Sequence, residues 1–536
     1  MRRIAKNAWL LAIVSGLLQV LIFPSINWYV LCWIAFAPLI VAVLRTQRAP
    51  DIYVAESLGA TLVPATLRQA FVLGWLSGII WCAGTCYWVY HVMHAYGGLN
   101  QLTSAGILVL FCLYIGAHNG LFALLLAWIA KPRNAADRPI TRTLVAAPFL
   151  WVAVELLRTK IVGFPWDLLG TVQVDNIPLA RIATVTGVYG ISFEIMVVNT
   201  AFAAAMLGRR QTRRPVLAAA IGASVLVQAT ALIQPPRLPA PLTARLVQQN
   251  IPILDSDRWT SDYFQNTIEQ LREKSIPQPE QTMGAPRPTL IVWPESPAPF
   301  YVGDSSFREL VSGMARQANA HVIVTSLGTN NSPAVDSARE LYNSAALVTP
   351  EGEWTSRYDK IHLVPFGEYV PFKQLLVFAE KLTREVGEYV PGTSRNVFPI
   401  DGYKVGTFIC YESIFPGEIR EFARNGANVF VNVSNDGWYG RWGAPEQHLA
   451  QARMRAVENK RWLLRATNTG ITASIDSYGR IIDEAPREMR TYLDAPFATV
   501  EETTFYTRHG DWFPYLCAII SVVALAAVRI RSRRTV

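Results

Sequence analysis

Apolar residues in this chain are gathered into windows long enough to cross a lipid bilayer. A helix needs about 20 mostly apolar residues to span about 30 Å of hydrocarbon. Windows of that kind occur near residues 8–24, 28–44, 70–92, 103–130, 143–160, 187–207, 215–233 and 513–530. No such window occurs between residues 240 and 512. The sequence therefore predicts a polytopic α-helical membrane domain of eight spans, with a polar domain inserted before the last span.

The basic residues around these windows are distributed asymmetrically. With the amino terminus in the cytoplasm, eighteen lysines and arginines fall on the cytoplasmic side: Arg2, Arg3, Lys6, Arg45, Arg48, Arg68, Lys131, Arg133, Arg138, Arg142, Arg209, Arg210, Arg213, Arg214, Arg529, Arg531, Arg533 and Arg534. The short loops on the opposite side hold Arg158, Lys160 and Arg181. Membrane proteins concentrate basic residues in cytoplasmic loops, so we expect both termini inside and residues 240–512 outside. The net charge of +9 is then mainly a topology signal, and we expect no nucleic-acid partner.

A proline-rich stretch separates the two parts of the chain. We expect seven spans in residues 1–234, an extended linker at 235–242, an α/β domain at 243–510, and an eighth span with a basic tail at 511–536. In the polar domain short apolar runs alternate with helical patterns, which is typical of an α/β fold. The predicted strands are 243–249, 289–294, 321–327, 342–348, 404–410, 428–433, 463–467 and 471–476. The predicted helices are 260–274, 305–319, 414–425 and 446–460.

Cys410 is the one cysteine of the predicted outer domain. The chain has six cysteines, and the other five lie in the predicted spans. A lone thiol cannot form an internal disulfide, and in an oxidising compartment it is a liability unless it is used. Cys410 follows a short apolar strand and precedes a turn and a helix, which is a position typical of a reactive group.

Glu295 and Lys360 lie upstream of Cys410, at the ends of other strands. A free thiol is mostly protonated near neutrality, because its pKa is about 8.5. A carboxylate can take its proton and later return it to a leaving group. An ammonium group can stabilise both the thiolate and the oxyanion that forms on an attacked carbonyl. Glu295 as base, Lys360 as cation and Cys410 as nucleophile therefore form a candidate acyl-transfer site.

Other polar residues nearby are candidates for supporting roles. The backbone N–H of Tyr411 directly follows the nucleophile and is a candidate second oxyanion donor. Glu368 is a candidate to orient Lys360 or to act as a second carboxylate, and Glu412 is a candidate for a similar supporting role. His448 heads a predicted helix, with no cysteine or carboxylate near it in metal-ligand spacing. No metal cluster, phosphate loop or dinucleotide fingerprint is visible, so we expect no metal and no cofactor.

Two aromatic segments are candidates for contact with lipid. The loop 437–443 places Trp438, Tyr439 and Trp442 among glycines, which suits a mobile flap at the bilayer surface. Core packing of Trp438 is the competing interpretation. Trp166 lies in a predicted outside loop, where a role as a membrane-interface anchor and a role in lipid binding are both open.

Three segments of the polar domain resemble the motif blocks of the nitrilase (carbon–nitrogen hydrolase) superfamily. They are Trp293–Glu295, Tyr358–Glu368 and Ile409–Glu412. The eight-span frame around such a domain resembles the bacterial apolipoprotein N-acyltransferases. The resemblance implies an αββα sandwich in which Glu295 is the base, Lys360 the oxyanion stabiliser and Cys410 the nucleophile. Further positions that are important in the family map to Trp259, Glu368, Tyr411 and Glu412. Asn343, Asn435 and Trp438 lie in segments similar to those of the family.

The resemblance also implies a ping-pong reaction. Cys410 takes an acyl chain from a membrane phospholipid, expected to be phosphatidylethanolamine, to form a thioester. The α-amine of a diacylglyceryl-cysteine at the amino terminus of an apolipoprotein then accepts the chain. We expect a monomeric enzyme of the bacterial inner membrane with a periplasmic catalytic domain.

Two other function classes remain open at this point. A membrane-anchored amidase or nitrilase acting on a soluble amide shares the same three residues, but it needs neither eight spans nor aromatic loops facing the bilayer. A transporter or scaffold whose outer domain only binds ligands predicts a dispensable Cys410 and polar residues lining the spans. The spans are poor in charge, which disfavours the transporter.

Overall fold

The chain folds into two compact units. The computed structural model describes residues 4–45, 63–131, 139–208, 210–253, 260–277, 287–295, 300–329, 340–369, 389–440 and 443–533. The first unit, here called the helical unit, comprises Met1–Tyr90, Asn100–Pro235 and His509–Val536. The second, here called the sheet unit, comprises His91–Leu99 and Pro236–Arg508.

Twelve helices of eight or more residues are found in the described part of the chain. In chain order they are α1 Lys6–Leu21, α2 Ala37–Leu44, α3 Leu67–Thr85, α4 Gln101–Ile129, α5 Pro139–Leu157, α6 Val188–Leu207, α7 Arg210–Ala229, α8 Ser261–Ser275, α9 Ser305–Ala318, α10 Pro416–Arg424, α11 Ala444–Asn459 and α12 Trp512–Arg533. The helical unit contains α1 to α7 and α12.

Six helical segments are long and apolar enough to cross a membrane, judged by length and composition over the described residues. They are Leu67–Thr85, Gln101–Ile129, Pro139–Val162, Val188–Leu207, Gln211–Leu232 and Trp512–Arg529. Each coincides with one of the eight predicted windows. The first two predicted windows coincide with shorter apolar helices, Lys6–Leu21 and Tyr29–Leu44. The polytopic membrane architecture is thus confirmed, and the count of eight spans stays a prediction.

Helices α3 and α4 approach each other backbone to backbone. A Cβ atom added to Gly74 would lie 2.3 Å from the carbonyl oxygen of Asn119, and one added to Gly78 would lie 2.4 Å from that of Gly116. Small residues spaced four apart allow this contact in apolar surroundings. The buried side chain of Gln19 on α1 joins the pair, since it accepts a hydrogen bond from Nδ2 of Asn119 at 3.0 Å.

Within its described residues, the sheet unit contains two six-stranded sheets. The strands are β1 Leu242–Gln248, β2 Leu290–Val292, β3 His321–Thr329, β4 Leu341–Val348, β5 Trp354–Asp359, β6 Val397–Ile400, β7 Tyr403–Ile409, β8 Val429–Ser434, β9 Trp462–Thr467, β10 Ala473–Ile475, β11 Ile481–Glu484 and β12 Thr491–Phe497. One sheet has the order β12-β1-β2-β3-β4-β5, and the other has the order β11-β10-β9-β8-β7-β6.

The sheets stack face to face and helices cover their outer faces. Strands β1 and β12 contact β9, while α8 and α9 pack on the first sheet and α10 and α11 pack on the second. A core of apolar side chains, including Trp293 and Phe307, fills the space between α8, α9 and their sheet. The predicted αββα sandwich is confirmed.

All eight predicted strands and all four predicted helices of this unit are present. Four strands were not predicted, namely β5, β6, β11 and β12, and each of them lies at an edge of its sheet. An edge strand is half exposed and has no need of a continuous apolar run. Strand β11, for example, has four residues that are exposed or half-buried, so its pattern resembles that of a loop.

The strand pairing brings distant segments to one end of the sandwich. Strands β7 and β8 are parallel, so Cys410 and Asn435, which follow them, emerge at the same end of their sheet. Strands β4 and β5 are antiparallel, with Ser344 opposite Asp359. The start of β4 therefore places Asn343 beside Lys360, the residue that follows β5.

Candidate active site

Glu295 lies just beyond β2 and is held by three donors. Its Oε1 accepts a hydrogen bond from Nδ2 of Asn343 at 2.9 Å and lies 3.3 Å from Nζ of Lys360. Its Oε2 accepts a hydrogen bond from the backbone N–H of Asn435 at 3.0 Å. The two sheets thus contribute together to the binding of one carboxylate, which fixes its orientation.

Lys360 is a buried ammonium group shared by two carboxylates. Its side chain is 1% exposed, and Nζ lies 2.9 Å from Oε1 of Glu368 and 3.3 Å from Oε1 of Glu295. Burial by itself favours the neutral amine, but the charges of Glu295 and Glu368 outweigh it and raise the pKa of Lys360 well above its usual value. Lys360 therefore carries a positive charge in the resting site.

Glu368 and Asn343 complete this network. Nδ2 of Asn343 donates to Oε1 of Glu368 at 2.8 Å as well as to Glu295. Oε2 of Glu368 accepts the backbone N–H of Val364 at 2.8 Å. Asn343 was predicted as a substrate-binding residue, and the structure places its amide between the two carboxylates, where it donates to both.

Cys410 occupies a tight turn at the end of β7. It opens the 3₁₀ turn Cys410–Ile414, and its backbone φ is +49°, in the left-handed region. The Sγ atom is buried, 4.0 Å from the hydroxyl of Tyr439. Burial and the nearby charge of Glu295 raise the pKa of the Cys410 thiol to about 12, against the opposing effect of Lys360. The resting thiol is therefore protonated, and its proton needs an acceptor when it reacts.

Glu412 ties the turn of Cys410 to the segment of Lys360. One carboxylate oxygen accepts the N–H of Ile409 at 2.7 Å. The other accepts the N–H of Ile361 at 2.7 Å and the hydroxyl of Tyr358 at 2.6 Å. Glu412 thus connects the two segments from a fully buried position, and its neighbour Tyr411 is also buried.

A polar cluster behind Cys410 was missed from the sequence. Nε2 of His448 lies 3.0 Å from the carbonyl oxygen of Cys410, and its Nδ1 lies 2.9 Å from Oδ1 of Asp436. Oδ2 of Asp436 pairs with Nη2 of Arg465 at 2.7 Å. Burial and the charge of Arg465 lower the pKa of His448. Sequence spacing does not reveal this cluster, because its members lie on β9, α11 and the turn after β8.

Asn435 and Trp438 lie on the turn after β8. The side-chain oxygen of Asn435 accepts a hydrogen bond from Nδ2 of Asn468 at 3.1 Å, while its backbone N–H is the one that Glu295 accepts. Trp438 is half-buried, and its ring meets that of Tyr96 edge to face at a centroid distance of 5.3 Å. The hydroxyl of Tyr96 also donates to the carbonyl oxygen of Gly437 at 3.0 Å.

Trp166 and Trp259 were also predicted as substrate-binding residues. Trp166 belongs to the helical unit and is fully buried, with its ring 5.0 Å from that of Trp88. Trp259 lies outside the described residues, and so does Trp442 of the predicted flap. Within the described ranges, no group of three or more histidine, cysteine or acidic side chains is arranged to hold a metal ion.

Comparison with known families divides the chain in the same two parts. A model of the carbon–nitrogen hydrolase family matches residues 243–504. A model of the apolipoprotein N-acyltransferase N-terminal domain matches residues 15–201. A mutant of the Nesterenkonia AN1 amidase from the nitrilase superfamily, at 20% identity and a TM-score of 0.36, matches 51% of this chain and 95% of its own.

Relatives that match along the whole chain decide between the function classes. The apolipoprotein N-acyltransferase of Geobacter metallireducens is 36% identical over 99% of this chain and 97% of its own. That of Methylococcus capsulatus is 33% identical over 87% of this chain and 89% of its own. Neither an amidase nor a transporter accounts for a match over both halves. The chain belongs to the apolipoprotein N-acyltransferase family and is an acyltransferase built on a carbon–nitrogen hydrolase domain.

Proposed function

We propose that this enzyme moves an acyl chain from a membrane phospholipid to the α-amine of a diacylglyceryl-cysteine at the amino terminus of an apolipoprotein. Cys410 is the nucleophile of this proposal, Glu295 the base and Lys360 the stabilising cation. The observation that carries it is that Glu295 and Lys360 share one buried ion pair and that both their charges act on the Cys410 thiol.

The first half of the reaction forms a thioester. Glu295 accepts the thiol proton while Sγ of Cys410 attacks the ester carbonyl carbon of the donor. Lys360 and the backbone N–H of Tyr411 stabilise the negative charge that develops on the carbonyl oxygen. The carbon–oxygen bond to glycerol then breaks, and Glu295 returns the proton to the departing oxygen. The products are an acylated Cys410 and a lysophospholipid.

The second half transfers the chain to nitrogen. The α-amine of the acceptor attacks the thioester carbonyl, and Glu295 takes a proton from that amine. The carbon–sulfur bond breaks, an amide forms, and Glu295 returns the proton to Sγ of Cys410. The carboxylate of Glu295 thus serves in both halves of the reaction. The three hydrogen-bond donors that fix its position support this double role.

The supporting residues hold the base, the cation and the nucleophile in place. Glu368 and Asn343 hold Lys360 and Glu295, and Glu412 links the nucleophile to the lysine segment. We include Trp438, Asn435, Trp259 and Trp166 as residues that guide the lipid substrates. This assignment rests on the family-like segments for the first three and, for Trp166, on its place in the predicted outside loop 161–187.

Phosphatidylethanolamine is the donor in this proposal. The resemblance to the apolipoprotein N-acyltransferases supports this choice of donor. The enzyme acts as a monomer in this proposal. Glu295, Lys360 and Cys410 all come from a single chain, which supports this.

The location in the cell also belongs to the proposal. The enzyme spans the bacterial inner membrane with its spans in residues 1–234 and 511–536, joined through the linker 235–242 to a periplasmic catalytic domain at 243–510. Both termini lie in the cytoplasm. The asymmetry of eighteen basic residues against three supports this orientation.

Mass spectrometry of the intact protein tests the central step. After incubation with phosphatidylethanolamine vesicles and no acceptor, the protein should gain the mass of one acyl chain, and hydroxylamine should remove it. Cys410→Ala should gain no mass and transfer no chain. A Cys410→Ala variant that still transfers acyl chains near the normal rate contradicts the assignment of the nucleophile.

A further inference from the structure

The backbone of Cys410 is held in a conformation that a residue with a Cβ atom rarely adopts. Its φ of +49° lies in the left-handed region, which is disfavoured by the contact between Cβ and the following carbonyl oxygen. Such a residue persists only where its surroundings hold it. Something in the structure must therefore restrain both sides of this turn.

Glu412 restrains one side and His448 restrains the other. Glu412 accepts the N–H of Ile409, the residue before the nucleophile. His448 contacts the other side of the turn, because its Nε2 lies 3.0 Å from the carbonyl oxygen of Cys410. A carbonyl oxygen only accepts hydrogen bonds, so the hydrogen of this contact resides on Nε2 of His448.

The imidazole ring of His448 is itself fixed from behind. With the hydrogen on Nε2, Nδ1 accepts a hydrogen bond from Nη2 of Arg465 at 3.1 Å. Oδ2 of Asp436 holds that guanidinium at 2.7 Å, and Oδ1 of Asp436 lies 2.9 Å from Nδ1. Asp436 in turn accepts the hydroxyl of Ser434 at 2.8 Å. His448, Asp436 and Arg465 are all fully or almost fully buried, so the ring has little freedom to rotate away from Cys410.

Gly470 shows how closely this cluster is packed. Its φ is +138°, and a Cβ atom added there would lie 2.5 Å from Oδ2 of Asp436. The carboxylate of Asp436 therefore has room only because position 470 has no side chain. This space lets Asp436 reach both His448 and Arg465 from the turn after β8.

We infer that His448 is a positioning residue for the nucleophile. The Nε2–H of His448 holds the carbonyl of Cys410 and, with it, the left-handed turn. That turn aims Sγ of Cys410 and the N–H of Tyr411 at the donor ester. His448 touches neither substrate and moves no proton in this role. Asp436 and Arg465 act through it by orienting the ring. The inference rests on the proposed function of Cys410.

Two polar substitutions separate positioning from packing. In His448→Gln the side-chain amide nitrogen reaches about as far as Nε2 and can still donate to the carbonyl. In His448→Asn the amide reaches only as far as Nδ1 and cannot. Met454→Ala is the control for damage to the fold, because Met454 is a buried residue of the same helix, α11, outside the site. Each variant is purified as the full-length protein in detergent and incubated with phosphatidylethanolamine vesicles.

The readouts are the single-turnover rate of Cys410 acylation, the KM for phospholipid and the melting temperature. A misplacement of about 1 Å can slow a reaction by about 100-fold, so His448→Asn should acylate about 100-fold more slowly with an unchanged KM. His448→Gln should recover to within about tenfold of the unsubstituted enzyme. Met454→Ala should melt lower and acylate normally while folded.

Several results would overturn the inference. They are an acylation rate for His448→Asn close to that of the unsubstituted enzyme, equal defects in the Gln and Asn variants, or an equal defect in Met454→Ala. If neither histidine variant folds, His448 is a folding residue and the inference fails. The variant Cys410→Ala distinguishes failure of the proposed function from failure of this inference. If Cys410→Ala still transfers acyl chains, the proposed function is overturned. If Cys410→Ala is inactive and His448→Asn is normal, only the positioning role is overturned.

Discussion

Nζ of Lys360 lies closer to Glu368 than to Glu295, at 2.9 Å against 3.3 Å. The ammonium group is thus shared between the proposed base and a carboxylate that takes no proton in the proposed reaction. The charges of both carboxylates outweigh burial and raise the pKa of Lys360, so Glu368 helps to keep the stabilising cation charged and in place.

Replacement of Glu368 tests this division of roles. Glu368→Gln keeps the size and an acceptor oxygen but removes the charge, so Lys360 should lose one of the two carboxylates that hold it and shift from the place where it stabilises the oxyanion. We expect acylation of Cys410 to fall by about 100-fold, measured as single-turnover thioester formation. Glu353→Gln, at an exposed acidic residue before β5, should acylate normally. Near-normal acylation by Glu368→Gln would contradict the proposed sharing of Lys360.

The reactivity of Cys410 should depend on pH in an unusual way. Burial and Glu295 raise its pKa to about 12, so alkylation by neutral iodoacetamide should keep rising between about pH 7 and pH 10. A thiol with the ordinary pKa of about 8.5 would reach a plateau in that range. Rates are measured by quantifying the alkylated Cys410 peptide. A plateau near pH 9 would disprove the raised pKa.

Glu295→Gln should change thiol reactivity and acyl transfer in opposite directions. Removal of a negative charge that raises the pKa of Cys410 should lower that pKa, so alkylation at a fixed pH of about 9 should become faster. Acyl transfer should fall by about 100-fold or more, because the proton acceptor is gone. Asp304→Asn, at the exposed cap of α9, is the control. Parallel changes in the two rates would contradict the role of Glu295.

Trp438 should be needed for lipid substrates more than for folding. Its ring is half-buried against Tyr96, and a tryptophan seated on lipid contributes about 1–3 kcal/mol. We expect Trp438→Ala to slow acyl transfer from phospholipid by about tenfold or more, with an unchanged melting temperature and unchanged reaction of Cys410 with a small thiol reagent. Trp354→Ala, which removes a ring packed on Phe307, should instead lower the melting temperature. A destabilised Trp438→Ala would support core packing.

Cysteine labelling should report the orientation of the chain in the membrane. All six native cysteines are buried, so their background labelling by an impermeant maleimide should be low. Met489→Cys, at a position 54% exposed in the sheet unit, should label in cells with a permeabilised outer membrane. Arg2→Cys and Thr535→Cys should label only after lysis. Labelling of Thr535→Cys in unlysed cells would place the last span in the opposite orientation.

Sequence patterns were sufficient to predict a strand wherever its residues are buried without interruption. Central strands such as β8, with all six residues buried, show an apolar run in the sequence and were predicted. The edge strands β5 and β11 were not, because one side of each faces solvent and their residues have mixed polarity. The apolar windows over α1 and α2 were predicted longer than the helices observed, because hydropathy alone does not mark where a helix begins and ends.

The sequence by itself determined the division into an apolar helical part and an α/β part, and it predicted which three residues carry the reactive groups. Hydropathy, β-propensity and residue chemistry are local properties, so a single chain is enough to read them. Only the tertiary structure decided how those groups are held. The N–H of Asn435 reaches Glu295 across 140 residues of chain, and His448 reaches the carbonyl of Cys410 across 38. Such contacts depend on which strands pair and in what register, and a buried charge acquires its partner only through that pairing.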